Sequence, residues 1–200
     1  MKNKHTREKE AWFPSRSRRT ILQGEVHVWR IALDVNGEGI QAARDVLSED
    51  EIEKADRFRF ELDRRRFAIA HAGMRKILAG YLGCDAKQLI FEYDEKGKPR
   101  LRDTFNAREL NFNLSHSGQL SLLAVAPKIS VGIDIETVNP KFTCQEIAGR
   151  FLSRDEIRNL LTLPEEQRTE AFFTCWTRKE AYIKARGDGL SIPLNSFSVT

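Results

Sequence analysis

The chain has 200 residues, 40% hydrophobic and 31% charged, a balance that suits a globular protein with one large core or two small ones. It contains no apolar run near the ~20 residues of a membrane span, and charges interrupt the N-terminus throughout, so neither a membrane protein nor a secreted one is expected, and the cytoplasm is the expected location. Residues 1–20 carry seven Lys/Arg and two Glu, or +5 of the net +4, leaving −1 for the rest; the basicity sits in a tail, expected to be a disordered arm, and does not support a nucleic-acid partner.

Val26 to Leu33 alternates as a strand, with His27, Trp29, Ile31 and Leu33 on one face. Asn36-Gly37-Glu38-Gly39 reads as a turn. Ser48 and Glu51 have capping-box spacing and open a helix to about Arg59. Asp63 is the expected cap of a longer helix, Arg64 to Leu82, stopped by Gly83. Leu89–Tyr93 is a short strand and Asp94–Pro99 a loop. Asn111–Ser115, Leu120–Ala126 and Ile129–Glu136 follow as three strands of a meander. Gln145–Phe151 is helical, and Ser153 with Glu156 repeats the capping box. Glu165–Arg186 is a second long helix, ended by Gly187 and Gly189. Phe197–Thr200 has the look of a strand cut short. Cys84, Cys144 and Cys175 fit neither a zinc nor a disulfide spacing and read as reduced thiols.

Leu47-Ser48-Glu49-Asp50-Glu51-Ile52 resembles Leu152-Ser153-Arg154-Asp155-Glu156-Ile157 at an offset of 105, and the same offset pairs Val26 with Val131, Val28 with Ile133 and Phe67 with Phe172. The expected fold is therefore α+β, with two similar lobes. Each lobe is a small, mainly antiparallel sheet packed on a long helix. The lobes are expected at 21–127 and 128–200, the second truncated at its C-terminal end, with a site between them.

Three stretches carry candidate chemistry. In Val131-Gly132-Ile133-Asp134-Ile135-Glu136, strand spacing puts Asp134 and Glu136 on one face, either as a solvated acidic edge or as hard oxygen ligands of Mg²⁺ or Mn²⁺. In Trp176 to Lys184, Glu180 and Lys184 share a helix face, as a surface ion pair or as a third carboxylate with a phosphate-neutralising cation beside it. Asn113-Leu114-Ser115-His116-Ser117-Gly118 is either a self-bonded turn or a phosphate pocket using the Ser115 hydroxyl and the His116 imidazole.

In that order and spacing, F-N-L-S-H-S, V-G-I-D-I-E and W-T-R-K-E-A-Y-I-K resemble the 4′-phosphopantetheinyl transferases, in particular the single-chain Sfp-type branch. Arg57-Phe58, Asp63, Arg66 and Gly97-Lys98-Pro99 match the same branch. The resemblance covers residues 25–200 and implies two related lobes forming a pseudo-dimer that is an enzyme. It would move the 4′-phosphopantetheine arm of coenzyme A to a serine of an acyl or peptidyl carrier protein, releasing adenosine 3′,5′-bisphosphate. It implies Mg²⁺ on Asp134, Glu136 and Glu180, with Glu180 a candidate base and Lys184 on the pyrophosphate. It also implies His116 and Lys54 around the 3′-phosphate, Arg66 at the nucleotide pocket, and Lys98 and Pro99 against the adenine. Arg64, Arg65 and Arg66 stand about 100° apart around the helix, so at least one is expected to be exposed toward an acidic carrier. A monomer is expected. The rival readings are a metal-dependent phosphohydrolase or nuclease and a non-enzymatic carrier-binding module.

Overall fold

The computed structural model describes residues 20–34, 37–106, 108–139, 145–187 and 192–200. The basic arm, Cys144 and Gly189 lie outside them. Among the described residues five strands and six α-helices follow one another: β1 (His27–Ala32), α1 (Gly37–Arg44), α2 (Glu49–Asp56), α3 (Glu61–Leu82), β2 (Phe91–Tyr93), β3 (Pro99–Leu101), β4 (Leu110–Ser117), β5 (Leu120–Pro127), α4 (Gln145–Phe151), α5 (Arg154–Leu161) and α6 (Glu165–Arg186).

The main sheet is antiparallel in the order β1-β5-β4, with Trp29 opposite Leu123 and Phe112 opposite Val125. β2 and β3 form a separate two-stranded ribbon around the Asp94–Lys98 turn. The sheet face carrying Trp29, Ile31, Phe112, Leu123 and Val125 packs on α3 through Met74, Ile77, Leu78 and Tyr81. These α3 residues recur at helical spacing, and their burial drives the docking of helix on sheet. A second cluster, formed by Ala148, Leu152, Leu160, Phe172 and Cys175, joins α4, α5 and α6.

Several expectations need correction. Gly37 opens α1 rather than sitting in a turn, and α3 begins at Glu61, with Phe60 rather than Asp63 at the cap. Pro99–Leu101, read as the end of a loop, is a strand. Residues 129–136 are not a strand, so the third member of the sheet is β1, and no strand is assigned after Pro127 among the described residues. The reason lies in the hydrogen bonding. Ile133 N–H donates to Asn113 Oδ1 and Thr137 N–H to Ser117 Oγ, so the segment follows β4 through side chains instead of a backbone ladder. Phe197–Thr200 is likewise not a strand; a 3-10 turn, Leu194–Ser196, precedes it. The expected second sheet is therefore absent among the described residues, while the helical parts of the repeat are present.

The two halves share a buried latch. Ser48 and Ser153 each donate a backbone N–H to the glutamate three residues on, Glu51 and Glu156. Each glutamate then meets a fully buried cation from the long helix: Arg75 Nε lies 2.5 Å from Glu51, and Lys179 Nζ 2.7 Å from Glu156. Each cation also ties down the chain beyond its helix. Arg75 donates to the carbonyls of Ala86 and Leu89, and Lys179 to those of Leu194 and Phe197. Each lies over an aromatic ring, Phe91 at 5.0 Å and Phe197 at 4.4 Å. The short helices correspond at an offset of 105 and the long ones at 104, because four residues join α2 to α3 and three join α5 to α6. Arg75 thus matches Lys179, not Glu180.

Candidate active site

β4 and the segment 131–137 run side by side, and their polar side chains build the site. Alternate residues of a strand share a face, so Asn113, Ser115 and Ser117 point toward the segment together. Gly132 lets it lie flush on α6: a Cβ there would stand 2.0 Å from the Ala181 carbonyl oxygen and 2.4 Å from the Ala185 nitrogen. The Ser130 hydroxyl donates to the Ala185 carbonyl. This packing brings Asp134 against the α6 face that carries Glu180 and Lys184.

Asp134 Oδ1 takes the Lys184 ammonium at 2.5 Å and the Ser115 hydroxyl at 2.8 Å. Its Oδ2 is buried with no hydrogen-bond partner among the described residues. Glu136 Oε2 lies 3.2 Å from the Ser117 hydroxyl. The Glu180 carboxyl is pushed up from its ordinary value, first by burial and then by the negative charges of Asp134 and Glu136, with Lys184 pulling the other way. Among the described residues no three His, Cys, Asp or Glu side chains are gathered closely enough to hold an ion as they stand. The donor set is nonetheless short of positive charge: Asp134 and Glu136 both bear on Glu180, one buried Asp134 oxygen has no partner among the described residues, and one lysine stands between Asp134 and Glu180. A hard divalent cation fits that deficit.

A cavity of about 290 Å³ opens beside these groups, lined by Lys98, Pro99, Asn113, Glu180 and Lys184 among others. Lys98 Nζ donates to the Lys184 carbonyl at 2.6 Å, bracing the C-terminal end of α6, and burial lowers its pKa. A second depression of about 260 Å³ joins Phe58, Asp63, Arg66, His116, Ser117 and Gly118. The His116 imidazole is held below its ordinary pKa by burial and then by the positive charges of His71, Lys184 and Arg66. The Asp63 carboxylate, which lines the same depression, pulls the other way.

The structure therefore brings Asp134, Glu180, Lys184 and Ser115 together, sets Lys98 and Pro99 on the adjoining wall, and pairs His116 with Arg66 nearby. Ser115 bonds Asp134 and Lys184 rather than standing free. Lys54 does not line the His116 depression; its Nζ lies 5.6 Å from the Phe67 ring centroid and 5.7 Å from that of Tyr93. Arg64, Arg65 and Arg66 are all half-buried, so the exposed arginine expected at that helix end is absent. Arg64 is drawn in by Glu61 and the Phe58 carbonyl. Sequence reasoning missed the roles of Asn113 and Ser117. The only signal was their place, two residues either side of Ser115.

The profile of the 4′-phosphopantetheinyl transferase superfamily matches residues 130–200, and that of the 4′-phosphopantetheinyl transferase N-terminal region matches residues 36–128. The 4′-phosphopantetheinyl transferase HetI of Nostoc sp. is 44% identical over 180 residues, covering 90% of this chain and 76% of the relative. The chain belongs to the 4′-phosphopantetheinyl transferase family. The 4′-phosphopantetheinyl transferase psf-1 of Bacillus pumilus is 42% identical over 146 residues, 72% of this chain and 59% of the relative. The 4′-phosphopantetheinyl transferase Sfp of Bacillus subtilis is 36% identical over 153 residues, 76% of this chain and 66% of the relative. As a phosphopantetheinyl transferase of the Sfp type, the chain is a transferase that acts on carrier proteins. No described helix is long and apolar enough to cross a membrane.

Proposed function

We propose that the cavity between β4, the Gly97–Pro99 loop and α6 binds coenzyme A, and that the chain transfers its 4′-phosphopantetheine arm to a serine hydroxyl of an acyl or peptidyl carrier protein. The buried, unpaired Asp134 Oδ2 beside Glu180 and Lys184 carries this reading. Asp134, Glu136 and Glu180 are the residues that would hold Mg²⁺, or Mn²⁺ in its place. When bound, the ion supplies charge neutralisation and orientation to the pyrophosphate.

The reaction forms one serine O–P bond and breaks the P–O bond to adenosine 3′,5′-bisphosphate, which leaves with the electron pair. Such a transfer needs positioning and charge stabilisation more than covalent help. Lys184 neutralises the leaving pyrophosphate from the α6 side. Glu180, on the α6 face beside Lys184, is the group that takes the serine proton. His116 and Arg66 receive the 3′-phosphate, with Lys54 an outer cation, and Lys98 with Pro99 forms the wall facing the adenine. The shared latch supports a pseudo-dimer of two related lobes, 21–127 and 128–200; the proposed enzyme works as a cytoplasmic monomer without nucleic acid.

The test is to incubate the protein with coenzyme A, Mg²⁺ and an apo carrier and weigh the carrier. A gain of one phosphopantetheine is expected. Hydrolysed coenzyme A with an unchanged carrier would replace this reading with a phosphohydrolase. An unchanged carrier and intact coenzyme A would replace it with a carrier-binding module.

A further inference from the structure

Ser117 is the last residue of β4, and its hydroxyl touches three groups on the facing segment. Thr137 N–H donates to it at 2.9 Å, Thr137 Oγ1 lies 3.1 Å away and Glu136 Oε2 lies 3.2 Å away. A hydroxyl has one proton to give and two lone pairs to receive with, and an ionised carboxylate can only accept. If Ser117 gave its proton to Thr137 Oγ1, it would face the Glu136 oxygen with a lone pair. Only one arrangement satisfies all three contacts: Thr137 donates both its N–H and its Oγ1–H to Ser117, and Ser117 donates to Glu136. Gly118 makes room for this chain. Its backbone is left-handed at φ +58°, and a Cβ there would come within 3.0 Å of Thr137 Oγ1. One rung earlier, Ser115 holds Asp134 in the same way at 2.8 Å.

We propose that Ser117 and Thr137 are positioning residues for Glu136: a directed chain, Thr137 Oγ1–H to Ser117 Oγ–H to Glu136 Oε2, fixes the rotamer of the one exposed carboxylate in the set. Glu136 needs such a brace more than Asp134 does, because Asp134 is buried and already gripped by Lys184, whereas Glu136 stands in solvent with a longer side chain. Holding its carboxylate ready lowers the ordering cost when a cation binds, which is how outer hydrogen bonds tune metal affinity. The inference rests on the carboxylate-site reading above.

The test is a Mn²⁺ titration of the full chain in the presence of coenzyme A, with free Mn²⁺ read by electron paramagnetic resonance against a protein-free control. Parent, Ser117→Ala, Thr137→Val and Asp134→Ala are compared. Thr137→Val keeps shape and backbone N–H and removes only the hydroxyl at the head of the chain, so it guards against a folding defect in Ser117→Ala. Loss of an outer hydrogen bond typically weakens a metal site 10- to 100-fold, so about tenfold weaker Mn²⁺ binding is expected for Ser117→Ala and a smaller loss for Thr137→Val. The Mg²⁺ concentration for half-maximal transfer should rise in parallel. If Asp134→Ala loses Mn²⁺ while both other variants bind it like the parent, the positioning role is overturned and the carboxylate site stands. If the parent holds no Mn²⁺, or Asp134→Ala holds as much as the parent, the carboxylate site falls and the positioning role with it.

Discussion

Replacing Glu51 with glutamine tests whether the latch of the first half is an energetic element or only a geometric one. Burial by itself would raise the Glu51 carboxyl, but the hydrogen bond from His71 and the charge of Arg75 override it, bringing it from 4.5 to about 2. At about 1.36 kcal/mol for each unit, that difference corresponds to about 3 kcal/mol of folding stability. The sign follows from the direction. A carboxyl depressed in the folded state stabilises at any pH above its ordinary value, and the contribution drains away as the pH falls from about 5 toward about 2. Glu51→Gln also leaves the Arg75 guanidinium buried without its counter-charge, a loss of about 3–5 kcal/mol in comparable interiors, so the two routes agree. Urea unfolding is the assay, followed at neutral pH and down the acid limb. The variant should lose about 3 kcal/mol at pH 7 and show a shallower acid limb than the parent. A variant with parent-like stability at neutral pH, or with an acid limb as steep as the parent's, would refute the reasoning.

Other outcomes follow from the site. Glu180→Gln should abolish transfer without lowering the melting temperature, since it removes a half-buried negative charge that Asp134 and Glu136 already disfavour; a clear drop in melting temperature would count against that. His116→Ala should raise KM for coenzyme A roughly 10- to 100-fold while leaving KM for dephospho-coenzyme A nearly unchanged, as expected for one hydrogen bond to a charged group. Equal effects on both substrates would remove His116 from the 3′-phosphate. Gly132→Ala should destabilise by at least about 1–3 kcal/mol, because its Cβ meets helix backbone that has no rotamer with which to yield, and activity should fall as Asp134 is lifted from α6. An unchanged unfolding midpoint would show that the segment is not seated on α6.

The sequence declared some of this plainly and hid the rest for identifiable reasons. Both capping boxes and the full extent of α6 were legible, because they depend on local spacing and on residues that terminate helices on their own account, such as Gly83 and Gly187, each left-handed. The alternation of residues 131–136 promised a strand. The extended shape was a fair inference, but alternation reports only which way side chains point, not where the backbone hydrogen bonds go, and here Asn113 and Ser117 supply the acceptors. The co-location of Asp134, Glu180 and Lys184 was legible as chemistry, since like charges at those spacings ask for a cation. The latch was not. At an offset of 105, Arg75 falls on Glu180, an acid, and the likeness vanishes; the one-residue difference between the two linkers restores it only once the helices are placed.

The latch also bears on how the chain comes apart. Arg75 gathers Glu51, Ala86, Leu89 and Phe91, and Lys179 gathers Glu156, Leu194 and Phe197. Neither cation reaches into the other half. Each latch therefore closes its own short circuit of chain, and breaking one leaves the other intact. Native-state hydrogen exchange should resolve two groups of slow amides, one around α3 and one around α6, that open with separate free energies. The amides of Ile133 and Thr137 should exchange with the β4 side of the structure although the segment rests its backbone on α6 at Gly132, because Asn113 and Ser117 are the acceptors that protect them.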